Sequence, residues 1–188
     1  EGWGHLNHGE SCVIATGTGS GKTETFMMPI LQYCINNEHK GVQVILIYPL
    51  KALAKDQKER LEEYLENVNE MYDSNITCGV FDGDLSPQER KEMIENPPNI
   101  LITNYVMLER ILIDPHYSKL LNNANIKYIV LDEIHYYSGA QGIDVSLLMR
   151  RLQFHLSLIQ DIDNIQYVGT SATLGAPNSK EVSDFLKR

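Results

Sequence analysis

The sequence predicts an α/β fold with a mostly parallel central sheet and helices on both of its faces. Short apolar runs rich in Val, Ile and Tyr alternate along the chain with helical segments. Most of these runs are too apolar to leave one face in water, which is typical of strands buried on both faces of a parallel sheet. Alternation of this kind indicates layers joined by right-handed crossovers.

Six apolar runs predict the strands of this sheet, over residues 12–15, 42–48, 76–81, 100–103, 128–131 and 166–169. Between them, a 3.6-residue apolar rhythm predicts a helix over 52–72. Ser86 is followed by Pro87 and then by Glu89, which is the pattern of a capped helix start. A further amphipathic segment covers residues 143–158.

Length and composition bound the class of protein. A chain of 188 residues is expected to form one domain, over residues 1–188. Apolar residues make up 43% and charged residues 22%, as in folded globular proteins. No apolar run approaches the ~20 residues of a membrane helix, and no signal-peptide pattern is visible. No membrane partner is therefore expected. Three dispersed cysteines without a CxxC pair favour a reducing compartment, so a cytoplasmic location is expected.

The charge argues against one class of partner. The formal net charge is −9, and the stretch from Lys55 to Asp114 holds 14 acidic against 6 basic residues. Phosphate contacts need local positive charge, so an acidic chain is a poor prior for nucleic-acid binding. A nucleic-acid partner therefore requires contacts that depend on local placement.

A glycine-rich loop directly follows the first predicted strand. It reads A-T-G-T-G-S-G-K-T-E over residues 15–24, with Thr16 where the strict phosphate-loop pattern has Gly. Alternating glycines let backbone N–H groups point inward and cradle phosphate oxygens. Lys22 would reach the β- and γ-phosphates, and the Thr23 hydroxyl would ligate Mg²⁺. The predicted cofactors are therefore ATP and Mg²⁺, bound by Thr18, Gly19, Ser20, Gly21, Lys22, Thr23 and Glu24.

A glycine-rich turn that binds nothing is the alternative, which the strand–loop–helix context disfavours.

A second motif supports the functional interpretation. The apolar run 128–131 ends in Asp132-Glu133-Ile134-His135. A carboxylate at the carboxyl end of a parallel strand faces the crevice where ligands bind. Asp132 would hold Mg²⁺, Glu133 would position or deprotonate the attacking water, and both join Lys22 in the predicted catalytic set. A solvated strand end is the alternative.

Taken in order, these and further segments resemble the first RecA-like domain of superfamily 2 helicases, in the DExH group of P-loop NTPases. The loop resembles motif I, D-E-I-H motif II, and Ser171-Ala172-Thr173 motif III. The segments that begin at Tyr48 (Y-P-L-K-A-L-A), Asp82 (D-G-D) and Thr103 (T-N-Y-V-M-L-E) resemble motifs Ia, Ib and Ic. The resemblance extends from about Ser11 to Leu174.

The resemblance implies further roles. His135, Ser171, Ala172 and Thr173 would couple the nucleotide site to a nucleic-acid groove. Loops leading into helices would offer backbone N–H groups and a few side chains to one strand's phosphates, which answers the objection from net charge. The implied nucleic-acid contacts are Pro49, Lys51, Gly83, Thr103 and Asn104. A surface role for Lys51 and a helix-cap role for Thr103-Asn104 remain open alternatives.

The implied function is the N-terminal motor half of an ATP-dependent helicase or translocase. The resemblance requires a second RecA-like domain with arginine fingers, and no such second core is recognisable here, so this piece alone is expected to be weakly active or inactive. Tyr136 to Gly142 and the form of motif Ia resemble a bacterial subgroup with DNA-repair and phage-defence members. DNA is therefore favoured over RNA, with protein partners in such complexes. The alternative is a nucleotide-dependent switch or scaffold, against which the presence of Glu133 argues.

Overall fold

The computed structural model describes residue 6 and the ranges 9–15 and 22–172. Within this part of the chain, six strands form one sheet in which every pairing is parallel. They lie in the order β1-β6-β5-β2-β4-β3. Their bounds are β1 Cys12–Ala15, β2 Val44–Ile47, β3 Cys78–Val80, β4 Ile100–Thr103, β5 Tyr128–Leu131 and β6 Gln166–Ser171. The α/β fold class and all six strand positions are confirmed, although β2 and β3 are shorter than predicted.

In the described part of the chain, five α-helices connect the strands. They are α1 Lys22–Asn36, α2 Lys51–Tyr72, α3 Pro87–Glu95, α4 Tyr105–Ile113 and α5 Gly139–Ser157. Two short 3₁₀ turns follow α4 and β5, at Tyr117–Leu121 and Ile134–Tyr136. Helix α2 begins one residue before the predicted start, and α5 begins four residues before it. No described helix is long and apolar enough to cross a membrane.

The starts of α3 and α4 are fixed by side-chain caps. Ser86 Oγ accepts the Glu89 N–H at 3.2 Å, and the Ser86 N–H donates to the Glu89 carboxylate at 2.7 Å, which confirms the predicted cap. Asn104 Oδ1 accepts the Met107 N–H at 3.0 Å and starts α4. The strand–helix pattern missed α4 because the apolar run over 100–113 contains both β4 and α4, with Asn104 as the main polar break between them.

Apolar side chains cover both faces of the sheet. Val44 and Leu46 of β2 pack in the layer formed with α1 and α2, whereas Ile45 and Ile47 pack in the layer formed with α4 and α5. Alternate residues of a strand point to opposite faces, so a strand buried on both faces must be apolar throughout. The prediction of helices on both faces is confirmed.

Buried polar side chains line the amino ends of the strands, which we call the amino edge. Gln43, Asn99 and Gln166 are 1%, 9% and 1% exposed. Asn99 Oδ1 accepts the Thr77 N–H at 2.9 Å, and Asn99 Nδ2 donates to Gln43 Oε1 at 3.3 Å. Gln166 Nε2 donates to the Leu6 carbonyl at 2.8 Å. The chain itself thus supplies partners for these buried amides, which stabilises the strand starts.

Candidate nucleotide and nucleic-acid site

Tyr48, Asp132 and Thr170 lie level with one another where β2, β5 and β6 end. The residues that precede them are paired directly in the β2–β5 and β5–β6 registers, and the Asp132 N–H donates to the Ile47 carbonyl at 2.9 Å. Tyr48 packs in the α1–α2 layer. Level residues of parallel strands share a face, so all three side chains belong to the face that α1 and α2 cover. We call these three residues together with Glu133 the carboxyl edge.

One hydroxyl orients both acidic residues of the D-E-I-H segment. Thr170 Oγ1 donates a hydrogen bond to Asp132 Oδ1. The same Oγ1 accepts the Glu133 N–H at 3.1 Å. Asp132 is half-buried, so its carboxylate lies at the sheet edge with one oxygen held by β6. This arrangement fixes the direction of a carboxylate that the sequence assigns to Mg²⁺.

Glu133 has a backbone conformation that L-residues rarely adopt. Its φ is 49° and its ψ is 53°, in the left-handed region. Its carboxylate accepts the Ala172 N–H at 3.2 Å and lies 3.2 Å from His135 Nδ1. Ser171 Oγ lies 3.4 Å from the same nitrogen. The structure therefore brings three predicted coupling residues, His135, Ser171 and Ala172, to the predicted base, whereas Thr173 lies outside the described residues.

The structure describes only the helical end of the predicted phosphate loop. Thr18, Gly19, Ser20 and Gly21 lie outside the described residues, as does the side chain of Lys22. The backbone of Lys22 begins α1, and Thr23 is half-buried in its first turn. A helix therefore starts where the phosphate-loop motif requires one, directly after the loop that follows β1.

Glu24, predicted as a nucleotide contact, joins the first turn of α1 to α2. Its Oε1 accepts hydrogen bonds from Arg60 Nη2 at 2.8 Å and from the Tyr64 hydroxyl at 3.3 Å. Both partners belong to α2. A carboxylate repels a polyphosphate but attracts a guanidinium, which explains why Glu24 joins α1 to α2. The described contacts of Glu24 are with α2, and its contact with nucleotide stays a prediction.

The loops of motifs Ia and Ib meet at an ion pair. Lys51 Nζ lies 2.5 Å from Asp84 Oδ1, and this hydrogen bond raises the pKa of Lys51. A Cβ atom on Gly83 would lie 3.4 Å from the same ammonium, at van der Waals contact distance. Pro49 is half-buried at the end of β2. Two predicted nucleic-acid contacts, Lys51 and Gly83, are therefore direct neighbours on an exposed surface.

Thr103 and Asn104 use their side chains inside the protein. Thr103 is 1% exposed, and its hydroxyl donates to the Phe81 carbonyl at 2.8 Å. Asn104 caps α4, which confirms the alternative of a helix cap. Their contact with nucleic acid stays a prediction, and the buried Thr103 hydroxyl leaves the backbone of this loop as the group available for it.

Sequence reasoning did not identify two buried tyrosine hydroxyls beside Asp132. Within the described part of the chain, neither the Tyr48 nor the Tyr137 hydroxyl has a hydrogen-bond partner. Burial, followed by the nearby Asp132 charge, raises the pKa of both side chains. Thr170 and Arg60 were missed as well. The available signal for both residues was position: Tyr48 directly follows β2, and Thr170 is the last residue but one of β6.

The residues present suit magnesium and phosphate. Among the described residues, no group of three or more His, Cys, Asp or Glu side chains forms a metal site. Mg²⁺ does not require one, since it takes one or two protein oxygens together with water and substrate phosphates. The oriented Asp132 carboxylate and the Thr23 position at the start of α1 match this need.

Comparison with known proteins agrees with this geometry. The family model described as DEAD/DEAH box helicase matches residues 2–182. The chain belongs to the DEAD/DEAH box helicase family. The ATP-dependent helicase YprA of Bacillus subtilis is 35% identical over 183 residues, which cover 97% of this chain and 23% of YprA. The ATP-dependent helicase HRQ1 of Saccharomyces cerevisiae is 32% identical over 179 residues, which cover 92% of this chain and 16% of HRQ1.

Solved structures share the fold of this DEAD/DEAH box domain. The crystal structure of the DUF1998 helicase MrfA bound to DNA and AMPPNP matches with a TM-score of 0.82 and 33% identity, over 98% of this chain and 24% of MrfA. Mycobacterium smegmatis Lhr bound to ssDNA and AMP-PNP matches with a TM-score of 0.78 and 29% identity, over 95% of this chain and 23% of Lhr. The RecA-like fold is confirmed, and the chain spans about a quarter or less of each relative.

Proposed function

We propose that this chain is the ATP-binding motor half of an ATP-dependent helicase or translocase that acts on DNA. The observation that carries the proposal is the position of the Glu133 carboxylate, which the Ala172 N–H and His135 hold at the carboxyl edge beside the oriented Asp132. Relatives named as ATP-dependent helicases, and neighbours solved with DNA and AMPPNP, support it.

Glu133 is the proposed base for hydrolysis. Its carboxylate accepts a proton from the water that attacks the γ-phosphoryl group, and its fixed position orients that water for in-line attack. The left-handed backbone of Glu133 turns the chain sharply after Asp132. Consecutive residues can therefore serve different tasks, with Asp132 on the α1–α2 face and Glu133 toward β6.

Lys22, Thr23 and Asp132 are the proposed ligands of Mg-ATP. Thr23 and Asp132 would hold Mg²⁺, which neutralises phosphate charge and orients the terminal phosphate. Lys22 would contact the β- and γ-phosphates, and the loop from Thr18 to Gly21 would cradle them through backbone N–H groups. These assignments rest on the motif and on the start of α1 directly after the loop.

Contacts between β5 and β6 are the proposed route from hydrolysis to movement. His135 lies within reach of both Glu133 and Ser171, so a change at the γ-phosphate alters contacts on the strand that leads into motif III. Lys51 and Gly83 would hold phosphates of the bound strand. The second RecA-like domain of the parent protein would supply arginine fingers.

The setting is also part of the proposal. DNA repair or phage defence is the pathway that the subgroup resemblance implies, with a cytoplasmic location and protein partners in such a complex. A deletion strain tests the pathway: sensitivity to DNA damage or to phage supports it, and wild-type survival in both assays contradicts it.

The experiment that tests the proposed chemistry replaces Glu133 in the full-length protein. Glu133→Gln is expected to bind ATP as wild type does and to lower kcat by about 10²–10⁴-fold, because only the proton acceptor is lost. Glu109→Gln is the control, since Glu109 is an ion-paired carboxylate on α4. Normal hydrolysis by Glu133→Gln would contradict the assignment. Nucleotide-dependent DNA binding without strand separation or movement would favour the switch or scaffold.

A further inference from the structure

The hydroxyl of Tyr48 is polar and buried, and Tyr48 lies level in the sheet with Asp132, the residue that the proposed function assigns to Mg²⁺. Tyr48 is 1% exposed, and within the described part of the chain its hydroxyl has no hydrogen-bond partner. An unsatisfied buried hydroxyl lowers the stability of a folded protein. Phenylalanine would fill the same apolar space without this cost, so the hydroxyl requires an explanation other than packing.

The register of the sheet places Tyr48 next to Asp132 on the neighbouring strand. Asp132 has Thr170 of β6 on one side and Tyr48 of β2 on the other, at the same level of the sheet. Thr170 already donates to Asp132 Oδ1. Tyr48 is the corresponding hydroxyl on the opposite side, and the Asp132 charge is close enough to raise the Tyr48 pKa.

The other charged group near Tyr48 belongs to α2. The Arg60 guanidinium, which binds Glu24 of α1, acts on the Tyr48 pKa in the opposite direction to Asp132. The Tyr48 hydroxyl is therefore influenced by two charged groups of opposite sign, the Asp132 carboxylate at the sheet edge and the Arg60 guanidinium on α2. A hydroxyl suits this place because it can donate toward the negative side and accept from the positive side.

We propose that Tyr48 is a positioning residue of the magnesium site, whose hydroxyl donates a hydrogen bond to a water molecule held by Asp132 when Mg-nucleotide binds. This inference rests on the proposed function. Groups that orient ligands and their waters tune metal affinity without contacting the metal. Tyr48 also directly precedes Pro49, so the same residue joins the cation site to the motif Ia loop in sequence.

The test measures the Mg²⁺ dependence of nucleotide binding rather than turnover. In the full-length protein, the binding of a fluorescent AMPPNP analogue is titrated with Mg²⁺ for wild type and for Tyr48→Phe. The half-saturating Mg²⁺ concentration is expected to rise by about five- to tenfold in Tyr48→Phe, the effect of one hydrogen bond. Binding in the presence of EDTA is expected to stay unchanged, because the hydroxyl acts only toward the cation site.

Tyr128→Phe is the matched control. Tyr128 is also buried in the α1–α2 layer, but at the amino end of β5. It is expected to leave the Mg²⁺ titration unchanged. Removal of an unsatisfied hydroxyl is expected to leave the melting temperature of nucleotide-free Tyr48→Phe at or above the wild-type value.

A double-mutant cycle with Asp132→Asn completes the test. If Tyr48 acts through Asp132, Tyr48→Phe adds no further loss of Mg²⁺ dependence in the Asp132→Asn background. A wild-type Mg²⁺ titration for Tyr48→Phe overturns the inference, and so does an equal loss in Tyr128→Phe. Failure of wild type itself to bind nucleotide in a Mg²⁺-dependent way would contradict the proposed function instead, so the two failures are distinguishable.

Discussion

The two edges of the sheet treat buried polar groups in opposite ways. At the amino edge, the Gln43 amide donates to the Asn37 carbonyl at 2.7 Å, and Asn99 and Gln166 bond to backbone of neighbouring segments. At the carboxyl edge, Glu133 has a left-handed backbone and the buried Tyr48 hydroxyl has no partner among the described residues. Satisfied groups contribute stability, whereas strained and unsatisfied groups indicate a place where a ligand completes the structure.

The two edges also differ in charge, because the carboxyl edge carries acidic side chains and the buried polar side chains of the amino edge are neutral. Asp132 and Glu133 are adjacent acidic residues at the carboxyl edge, and their carboxylates are held apart by Thr170, Ala172 and His135. The buried polar side chains of the amino edge, Gln43, Asn99 and Gln166, are neutral amides. A ligand that brings a cation and phosphates therefore belongs at the carboxyl edge, and substitutions at the two edges should separate activity from stability.

Thr170→Val should produce a large loss of activity although it removes none of the predicted catalytic residues. It removes the hydroxyl that donates to Asp132 and accepts the Glu133 N–H, so both acidic residues lose their orientation. Turnover by the full-length protein is expected to fall by about 10–100-fold, the usual cost of losing an outer-shell partner. Thr170→Ser keeps the hydroxyl and should restore most of the activity. Equal activity of the Val variant would show that this contact does not organise the site.

Asn99→Ala should produce the largest loss of stability. It leaves the Thr77 N–H and a Gln43 amide oxygen without their partners inside the protein. The domain is expected to lose about 2–4 kcal/mol, which corresponds to a fall of about 5–10 °C in its thermal unfolding midpoint. ATP turnover per folded molecule should not change. Asn96→Ala, at the exposed end of α3, is the control that should leave both quantities unaltered.

Lys51→Gln tests the exposed ion pair at the carboxyl side of the sheet. Loss of one phosphate contact should weaken binding to single-stranded DNA several-fold and reduce the salt slope of the affinity by about one. Lys55→Gln, one turn further along α2, removes the same charge and should change neither quantity as much. Asp84→Asn frees the Lys51 ammonium and should strengthen binding. An unchanged salt slope in Lys51→Gln would place the DNA elsewhere.

The smallest predicted effect concerns the backbone of Glu133. Glu133→Gly and Glu133→Ala both remove the carboxylate, but only Gly accepts φ 49° without a steric cost. The Gly variant is expected to be more stable than the Ala variant by about 1 kcal/mol, or about 2–4 °C. At Glu63, which is exposed in α2, the order should reverse because Gly weakens a helix. If the Ala variant were the more stable one at both positions, strain at Glu133 would be excluded.

Local signals explain why much of the fold was predictable. Ser86 and Glu89 stand three residues apart and cap α3 wherever the rest of the chain lies. Strands buried on both faces must be apolar throughout, so their sequence pattern and their position coincide. Helix α4 was missed because its apolar residues continue those of β4, with only Asn104 between them.

The candidate site could be predicted only where its residues are neighbours in the sequence. Asp132 and Glu133 follow a strand directly, so their place at its carboxyl end could be inferred. The partner of Glu24 could not, because Arg60 lies 36 residues away and the helix packing that joins them is tertiary. The unsatisfied Tyr48 hydroxyl is likewise a property of packing, which composition and spacing do not reveal.

ATP hydrolysis by the full-length protein, measured with single-stranded DNA and with RNA of the same sequence, is the sharpest test of a DNA-dependent motor. DNA is expected to raise kcat by about tenfold or more, and Lys22→Ala, which loses a phosphate contact, is expected to abolish the activity. Stimulation by RNA alone would contradict the assignment of DNA as the partner. Hydrolysis that neither nucleic acid changes would contradict the assignment of this domain as a nucleic-acid motor.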